Sequence, residues 1–396
     1  MKHVLFSYHT CPLEEPGTGL AGGMNIFLRG VLSGLARCGI ETDVLTRGRG
    51  GAVEVTRPYR GVRIVHVPCG WEEPPSREAA YRVLPRFIER AREVLDREHR
   101  DPPGALSAHY WMSGVAARDA GVWDRPPGLV FMFHTVEARK PARGETIPDG
   151  LSTARRDAEE RLAREAHRVV FLSDHDLAAT GKVLPRVAGK GVVIPPGIDD
   201  RFRRPPPREE GRREFGIPRG AFLFLLAARP DPGKNAPEAI DAFLSLREKG
   251  CHEAHLIVAG QEPPADGVPG GLIFTGPVPH AGMPALLSAA DAVLCPSAYE
   301  SFGLVPLEAM AAGVPVIVPL DGFWGRTVLG EGGGVAYPPG SIRGMADAMA
   351  GIMKDDSARA RMAEEGRRIA GRFTWERCTE SWARLLSSAA TRDNPR

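Results

Sequence analysis

Two doubly wound α/β domains in tandem are what this sequence predicts, on three observations. Short apolar runs alternate with helical stretches along the whole chain. The runs lack polar alternation, which marks strands buried on both faces of a parallel sheet. The pattern breaks once, at residues 197–207, where Pro205, Pro206 and Pro207 sit among several charges and read as an interdomain linker.

In the first half, residues 4–8 read as a strand and 24–38 as a helix with Phe27, Val31 and Leu35 on one stripe. Strands follow at 42–46, 62–67, 129–133 and 169–173, and 191–196 closes the half. After the break, strands are expected at 222–227, 255–259, 272–275, 292–296 and 314–318. Helices fall between them, for instance at 236–249 and 283–290. Residues 374–386 form an amphipathic helix carrying Trp375 and Trp382. The expected domains are 1–197 and 208–372, with 373–396 as a C-terminal helix. Ligands of such sheets bind at the carboxyl ends of strands, and two facing sheets make a cleft.

Composition narrows the function. The 396 residues are 43% hydrophobic and 25% charged, with a formal net charge of +2. These values suit a soluble globular protein and give no basic block for nucleic acid and no charged patch for a membrane. Seven lysines stand against 44 arginines, so a lysine in a glycine turn is notable. The six cysteines are scattered, with no C-x-x-C pair, which argues against a zinc site or disulfide framework and fits a reducing cytoplasm. The N-terminus reads as a strand rather than a signal peptide. The longest apolar runs, such as 221–228, are too short to span a bilayer.

Four segments carry chemistry. In residues 297–312 a strand leads through Glu300, Ser301, Phe302 and Gly303 into a helix that begins near Leu304 and carries Glu308. The unpaired amides of that helix start suit a diphosphate, with Gly303 allowing close approach. Glu308, one turn in, can meet a ribose cis-diol, and Glu300 can reach hydroxyls on the other side of the phosphates. Both glutamates equally suit a solvated loop and a first-turn acid. In residues 229–235, Arg229 and Lys234 follow a strand's carboxyl end, where a leaving diphosphate needs positive charge, and Asn235 reads as an N-cap. A plain polar turn is the competing reading. Residues 17–23 contain G-x-G-x-x-G, but about nine residues past the first strand, and no acid ends the second strand; both facts weigh against a dinucleotide oxidoreductase. A glycine loop closing over phosphate or acceptor fits better. Finally, His109 and His134 each stand where a first-half strand stops, although a lone histidine is more often structural.

Together these residues resemble glycosyltransferase family 4, which has the two-domain GT-B fold. Glu300 to Glu308 reads E-S-F-G-L-V-P-L-E and matches the family's E-x7-E motif. The first half, through Gly22-Gly23-Met24-Asn25 and residues 107–114, is most similar to the branch of inositol-phosphate N-acetylglucosaminyltransferases and sucrose-phosphate synthases. The resemblance implies that Glu308 binds the nucleotide ribose, and that Glu300 and the backbone of Ser301, Phe302, Gly303 and Leu304 hold the sugar and diphosphate. Arg229 and Lys234 would neutralise the leaving group, His134 would contact the donor sugar, and Gly22 and Gly23 would lie over the diphosphate. His134, Arg229, Lys234 and Glu300 would form the catalytic set. Asn25, Tyr110, Thr135 and Arg156, or its neighbour Arg155, would meet the acceptor. The C-terminal helix would cross back to the first domain. No cofactor or metal is expected, because a nucleotide sugar is the co-substrate of metal-independent, retaining transfer.

Departures leave the acceptor open. Ala228 replaces the glycine usual before the arginine, and Asp321 to Arg326 replaces a glycine-rich turn ending in glutamate, adding Trp324. The branch's acceptor-phosphate lysine has no clear equivalent, with Arg77 near by a loose alignment. The expected reaction moves a hexosyl group, N-acetylglucosamine by resemblance, from a UDP-sugar to an inositol, its phosphate or an aminocyclitol. Alternatives are a sugar-phosphate acceptor, a nucleotide-sugar epimerase and a non-catalytic sugar-nucleotide binder; a homodimer stays open.

Overall fold

The computed structural model describes residues 1–17, 21–70, 76–99, 101–124, 126–140, 149–265 and 267–390. Residues 18–20 of the glycine loop and 391–396 of the C-terminal segment lie outside this set. The chain divides into two compact units, one running to Gly197 and joined by the segment from Trp375, the other spanning Ile198–Thr374.

The first unit is built on eight strands: β1 (Lys2–Phe6), β2 (Glu41–Gly48), β3 (Glu54–Tyr59), β4 (Val62–Pro68), β5 (Ala105–His109), β6 (Leu129–Met132), β7 (Arg168–Phe171) and β8 (Gly191–Val193). Their spatial order is β3-β4-β2-β1-β5-β6-β7-β8. All pairs are parallel except β3 with β4. The direction of winding changes between β1 and β5, whose Phe6 and Ala108 are register partners. β3 was not expected. It is an exposed antiparallel edge and therefore lacks an apolar signal.

The second unit has six strands: β9 (Phe222–Ala227), β10 (Ala254–Ala259), β11 (Leu272–Gly276), β12 (Ala292–Leu294), β13 (Val316–Pro319) and β14 (Gly334–Tyr337). All pair in parallel, in the order β11-β10-β9-β12-β13-β14. Four successive residues of β9, Leu223 to Leu226, are 0–1% exposed, so both faces of the strand are covered, as its unbroken apolar run predicts. The switch point lies between β9 and β12, where Leu226 pairs with Leu294. A crevice opens at the carboxyl ends of two such strands, because their following connections leave to opposite faces.

Two sequence expectations change here. The stretch 197–207 is not a bare linker: it contains the helix Asp200–Arg203, whose Phe202 is 1% exposed in the second unit. The cause is its apolar residues, Ile198 and Phe202, which find cover despite the flanking prolines. Asn235 does precede the helix Ala236–Glu248, but its side chain does not cap it. It adopts a left-handed backbone with φ 51°, and its amide instead donates to the carbonyl of Pro296 at 3.1 Å.

The C-terminal helix Trp375–Ala390 buries Cys378, Thr379, Trp382, Leu385, Leu386 and Ala389, a stripe at helical spacing. It packs on the helix Gly23–Arg37. There Gly30 and Gly34 leave room for Trp375 and Thr379, and a Cβ at either glycine would collide with them.

Candidate functional site

In the second unit, the loops after β9 and β12 adjoin because the strands do. The Ala298 amide donates to the Gly233 carbonyl at 3.1 Å, and Lys234 Nζ forms an ion pair with Glu300 Oε1. Asp231 accepts the Gly233 amide at 2.8 Å and shapes the turn that carries the lysine. Arg229, in the same loop, is exposed. Gly303 then precedes the helix Leu304–Ala312 with φ 88°, a conformation costly for a residue with a Cβ. The first amides of that helix have no intrahelical partner and carry partial positive charge, so the place beside Lys234 suits an anion.

An aromatic cluster braces this turn from behind. The Trp324 indole donates to the Gly303 carbonyl at 2.9 Å. Phe302, 1% exposed, packs against Phe323, Trp324 and Phe373 at centroid distances of 5.2, 5.1 and 5.4 Å. Only the backbone of Phe302 is therefore positioned to meet a ligand. Glu308 is 3% exposed, and its Oε1 accepts from His280 Nε2 at 2.7 Å; His280 Nδ1 lies 2.5 Å from Arg201 Nη2.

In the first unit, β5 ends in His109 and β6 is followed by His134. His109 Nδ1 and His134 Nε2 are 3.0 Å apart. Burial pushes the His134 imidazole down to about 3, and burial together with His134 and His3 drives His109 well below its ordinary range. Both are neutral at pH 7. His134 takes φ 59° and Tyr110 φ 77°, two strained positions at neighbouring strand ends. Trp382 of the C-terminal helix lies over His109, with ring centroids 5.4 Å apart.

Arg155 gathers the neighbouring polar groups. It donates to the Tyr110 hydroxyl at 3.1 Å, and to the carbonyl and hydroxyl of Thr135 at 2.8 and 3.0 Å. Glu159 and Glu137 pair with it at 2.6 and 3.0 Å. Lys140 joins Glu137 at 2.7 Å, and its ammonium is pushed down to about 8 by burial and by Arg155. His9 stacks near Tyr110 at 4.3 Å and is driven well below its usual range by burial, then by the charges of Arg47, Arg77 and Arg155 and by His134. Arg155 and Lys140 thus pair with Glu137 and Glu159 beside Tyr110, and the charges of Arg47 and Arg77 act on His9 from further off.

Comparison with known proteins follows these two halves. Residues 21–202 match the model of Glycosyltransferase Family 4, and residues 207–369 match that of Glycosyl transferases group 1. The D-inositol 3-phosphate glycosyltransferase of Xylanimonas cellulosilytica is 32% identical over 419 residues, covering 98% of this chain and 97% of that protein. The chain belongs to the family 4 glycosyltransferases. Among solved structures, the sucrose-phosphate synthase of Thermosynechococcus elongatus has a TM-score of 0.84 at 24% identity, covering 98% of both chains. Anabaena HepE, solved with UDP and glucose, has a TM-score of 0.72 at 20% identity, covering 98% of this chain and all of that one. Both neighbours share the GT-B-like fold of this glycosyltransferase.

The glycosyltransferase brings Lys234, Glu300 and Gly303 together in one unit and Tyr110, Thr135 and His134 in the other. Arg156 stands exposed, and Arg155, one position earlier and turned by about 100°, meets Tyr110 and Thr135. Asn25 is corrected. It is fully buried, accepting the Gly22 amide at 2.9 Å and donating to Thr10 Oγ1 and the Cys11 carbonyl at 2.9 and 2.7 Å. It holds the loop that leads to Gly22 and Gly23, and its carboxamide does not face an acceptor. His280 and Arg201 were missed, because a histidine in a proline-rich turn 28 positions from Glu308 has no local signal. Among the described residues no group of three or more His, Cys, Asp or Glu is placed to hold a metal ion, and no helix is long and apolar enough to cross a membrane.

Proposed function

We propose that this glycosyltransferase moves a hexosyl group, N-acetylglucosamine in the first instance, from a UDP-sugar to a hydroxyl of an inositol phosphate, with retention of anomeric configuration. The observation that carries the donor half is the set of loops at the β9/β12 switch point, where Lys234, Glu300 and the Gly303-capped helix converge. HepE, a structural neighbour, was solved with UDP and glucose, which supports a uridine donor. The acceptor half rests on the positive charge that acts on His9 beside Tyr110, from Arg47, Arg77 and Arg155. It rests also on the name of the relatives, D-inositol 3-phosphate glycosyltransferase. Six unpaired cysteines agree with a cytoplasmic setting.

In the proposed reaction the bond from the sugar's anomeric carbon to the diphosphate breaks. The acceptor oxygen bonds to that carbon on the same face, and its proton passes to the departing phosphate oxygen. The protein's contribution is positioning and electrostatics: Lys234, Arg229 and the helix amides stabilise charge growing on the diphosphate. Glu300 holds Lys234 in place before the donor arrives.

A melting panel tests the reading. UDP, GDP, ADP and their sugars are added to the full chain with and without inositol 3-phosphate, free inositol and an aminocyclitol. The proposal expects the largest rise with a UDP-sugar, and a further rise with inositol 3-phosphate. No rise with any nucleotide would overturn it, and a response to free inositol or the aminocyclitol alone would replace the acceptor.

A further inference from the structure

A carboxylate that grips a cis-diol must be both ionised and correctly aimed. Glu308 sits in the second turn of the helix Leu304–Ala312 and is 3% exposed, so few waters can support it. Its support comes from a separate element. His280, in the turn before the helix Met283–Ala289, places Nε2 2.7 Å from Glu308 Oε1. The other ring nitrogen, Nδ1, faces Arg201 Nη2 at 2.5 Å, and the Phe202 ring packs on the imidazole at 5.3 Å. Arg201 is itself paired with Asp199 at 3.4 Å.

This arrangement decides where the imidazole proton lies. A guanidinium has N–H donors and no acceptor, so the nitrogen facing it must be the lone-pair nitrogen. The ring proton is then on Nε2 and is donated to Glu308. Among the described residues Glu308 makes no other side-chain hydrogen bond, so one oxygen is anchored and the second keeps its lone pairs. Arg201, His280 and Glu308 form a directed chain of donors ending at the carboxylate. Such second partners commonly fix the tautomer and aim of a functional group.

Resting on the donor-site reading above, we infer that His280, locked in this tautomer by Arg201, is a positioning residue that aims Glu308 at the ribose cis-diol of the donor. It touches neither sugar nor phosphate. Its effect is confined to the two ribose hydroxyls, so it bears on how the enzyme distinguishes a ribonucleotide from its deoxy form.

The experiment measures calorimetric binding of UDP and 2′-deoxy-UDP to the full chain, using the same pair in adenine or guanine if that base binds better. Wild type is expected to prefer UDP by about tenfold or more, the scale of a hydrogen bond to a charged group. His280→Leu should lower that preference to less than about threefold, weakening UDP clearly more than 2′-deoxy-UDP, which offers Glu308 only its 3′-hydroxyl. His280→Gln, whose carboxamide can accept from Arg201 and donate to Glu308, should restore most of the preference. Arg201→Met, with its side chain 39% exposed in the parent, tests the same ratio even if His280→Leu does not fold, and should fall between the two. Full discrimination in His280→Leu or Arg201→Met, or an equal loss for both nucleotides, overturns the inference. A wild type that binds UDP without discriminating, or binds neither nucleotide, overturns the assignment of Glu308 to ribose and the inference with it.

Discussion

Replacing Trp324 by phenylalanine isolates a single hydrogen bond behind the anion site. The six-membered ring can keep its packing against Phe302, Phe323 and Phe373, while the indole N–H that serves the Gly303 carbonyl at 2.9 Å is lost. Trp324 is 4% exposed, so water cannot readily replace the donor. Leaving such a carbonyl unpaired costs about 1–3 kcal/mol. Part of this appears as stability, and part as freedom of the turn at Gly303, which must be re-ordered when a diphosphate binds. If about 1–2 kcal/mol falls on binding, UDP affinity drops by about 5–30-fold. Uridine lacks the diphosphate and should bind W324F as it binds wild type. Calorimetry with UDP and uridine, beside a thermal melt, separates the two shares. UDP affinity within about twofold of wild type alongside a lowered melting temperature would refute the reasoning and leave Trp324 as a packing residue only.

Other outcomes follow from the same geometry. Lys234→Met should lower kcat by about 100-fold or more, because its charge is needed most as the diphosphate departs, while Glu300 loses only a part-exposed partner; steady-state kinetics and a melt check this. Arg77→Gln should raise KM for inositol 3-phosphate by about tenfold without changing the KM for the donor, since its charge contributes to the potential around His9. Stability should fall as pH drops. His3 and His134 are pushed by burial from 6.5 to about 3, so the unfolded chain takes up protons that the folded chain refuses. The stabilisation is complete above pH 6.5 and is lost toward pH 3, with each histidine contributing up to about 1.4 kcal/mol per pH unit. Urea unfolding at pH 7, 6 and 5 measures the slope, which should flatten by one proton's share in His3→Gln.

Much of this molecule was legible in the sequence because parallel strands buried on both faces are written as unbroken apolar runs. The run at Phe222–Ala227 and the helix starting at Leu304 appear where those runs and the glycine place them. The edge strand Glu54–Tyr59 was not legible, since one exposed antiparallel edge needs no apolar code. Gly334–Tyr337 was not expected either, since only four residues opening on a glycine make too short an apolar run to stand out. The choice between Arg155 and Arg156 turned on one position of helical phase, which local pattern does not resolve without its partners Glu159 and Tyr110. Asn25 was placed with the acceptor by the likeness of Gly22-Gly23-Met24-Asn25 to the branch, and a motif does not show that its side chain is buried. The chain from Arg201 through His280 to Glu308 joins three separate elements, so only tertiary structure reveals it.

The most direct test of the account is product analysis of the purified full chain incubated with UDP-N-acetylglucosamine and inositol 3-phosphate. The account predicts UDP release matched one for one by a glycosylated inositol phosphate, whose anomeric proton in NMR shows the configuration of the donor. UDP release without a coupled product, or a product of inverted configuration, would contradict it.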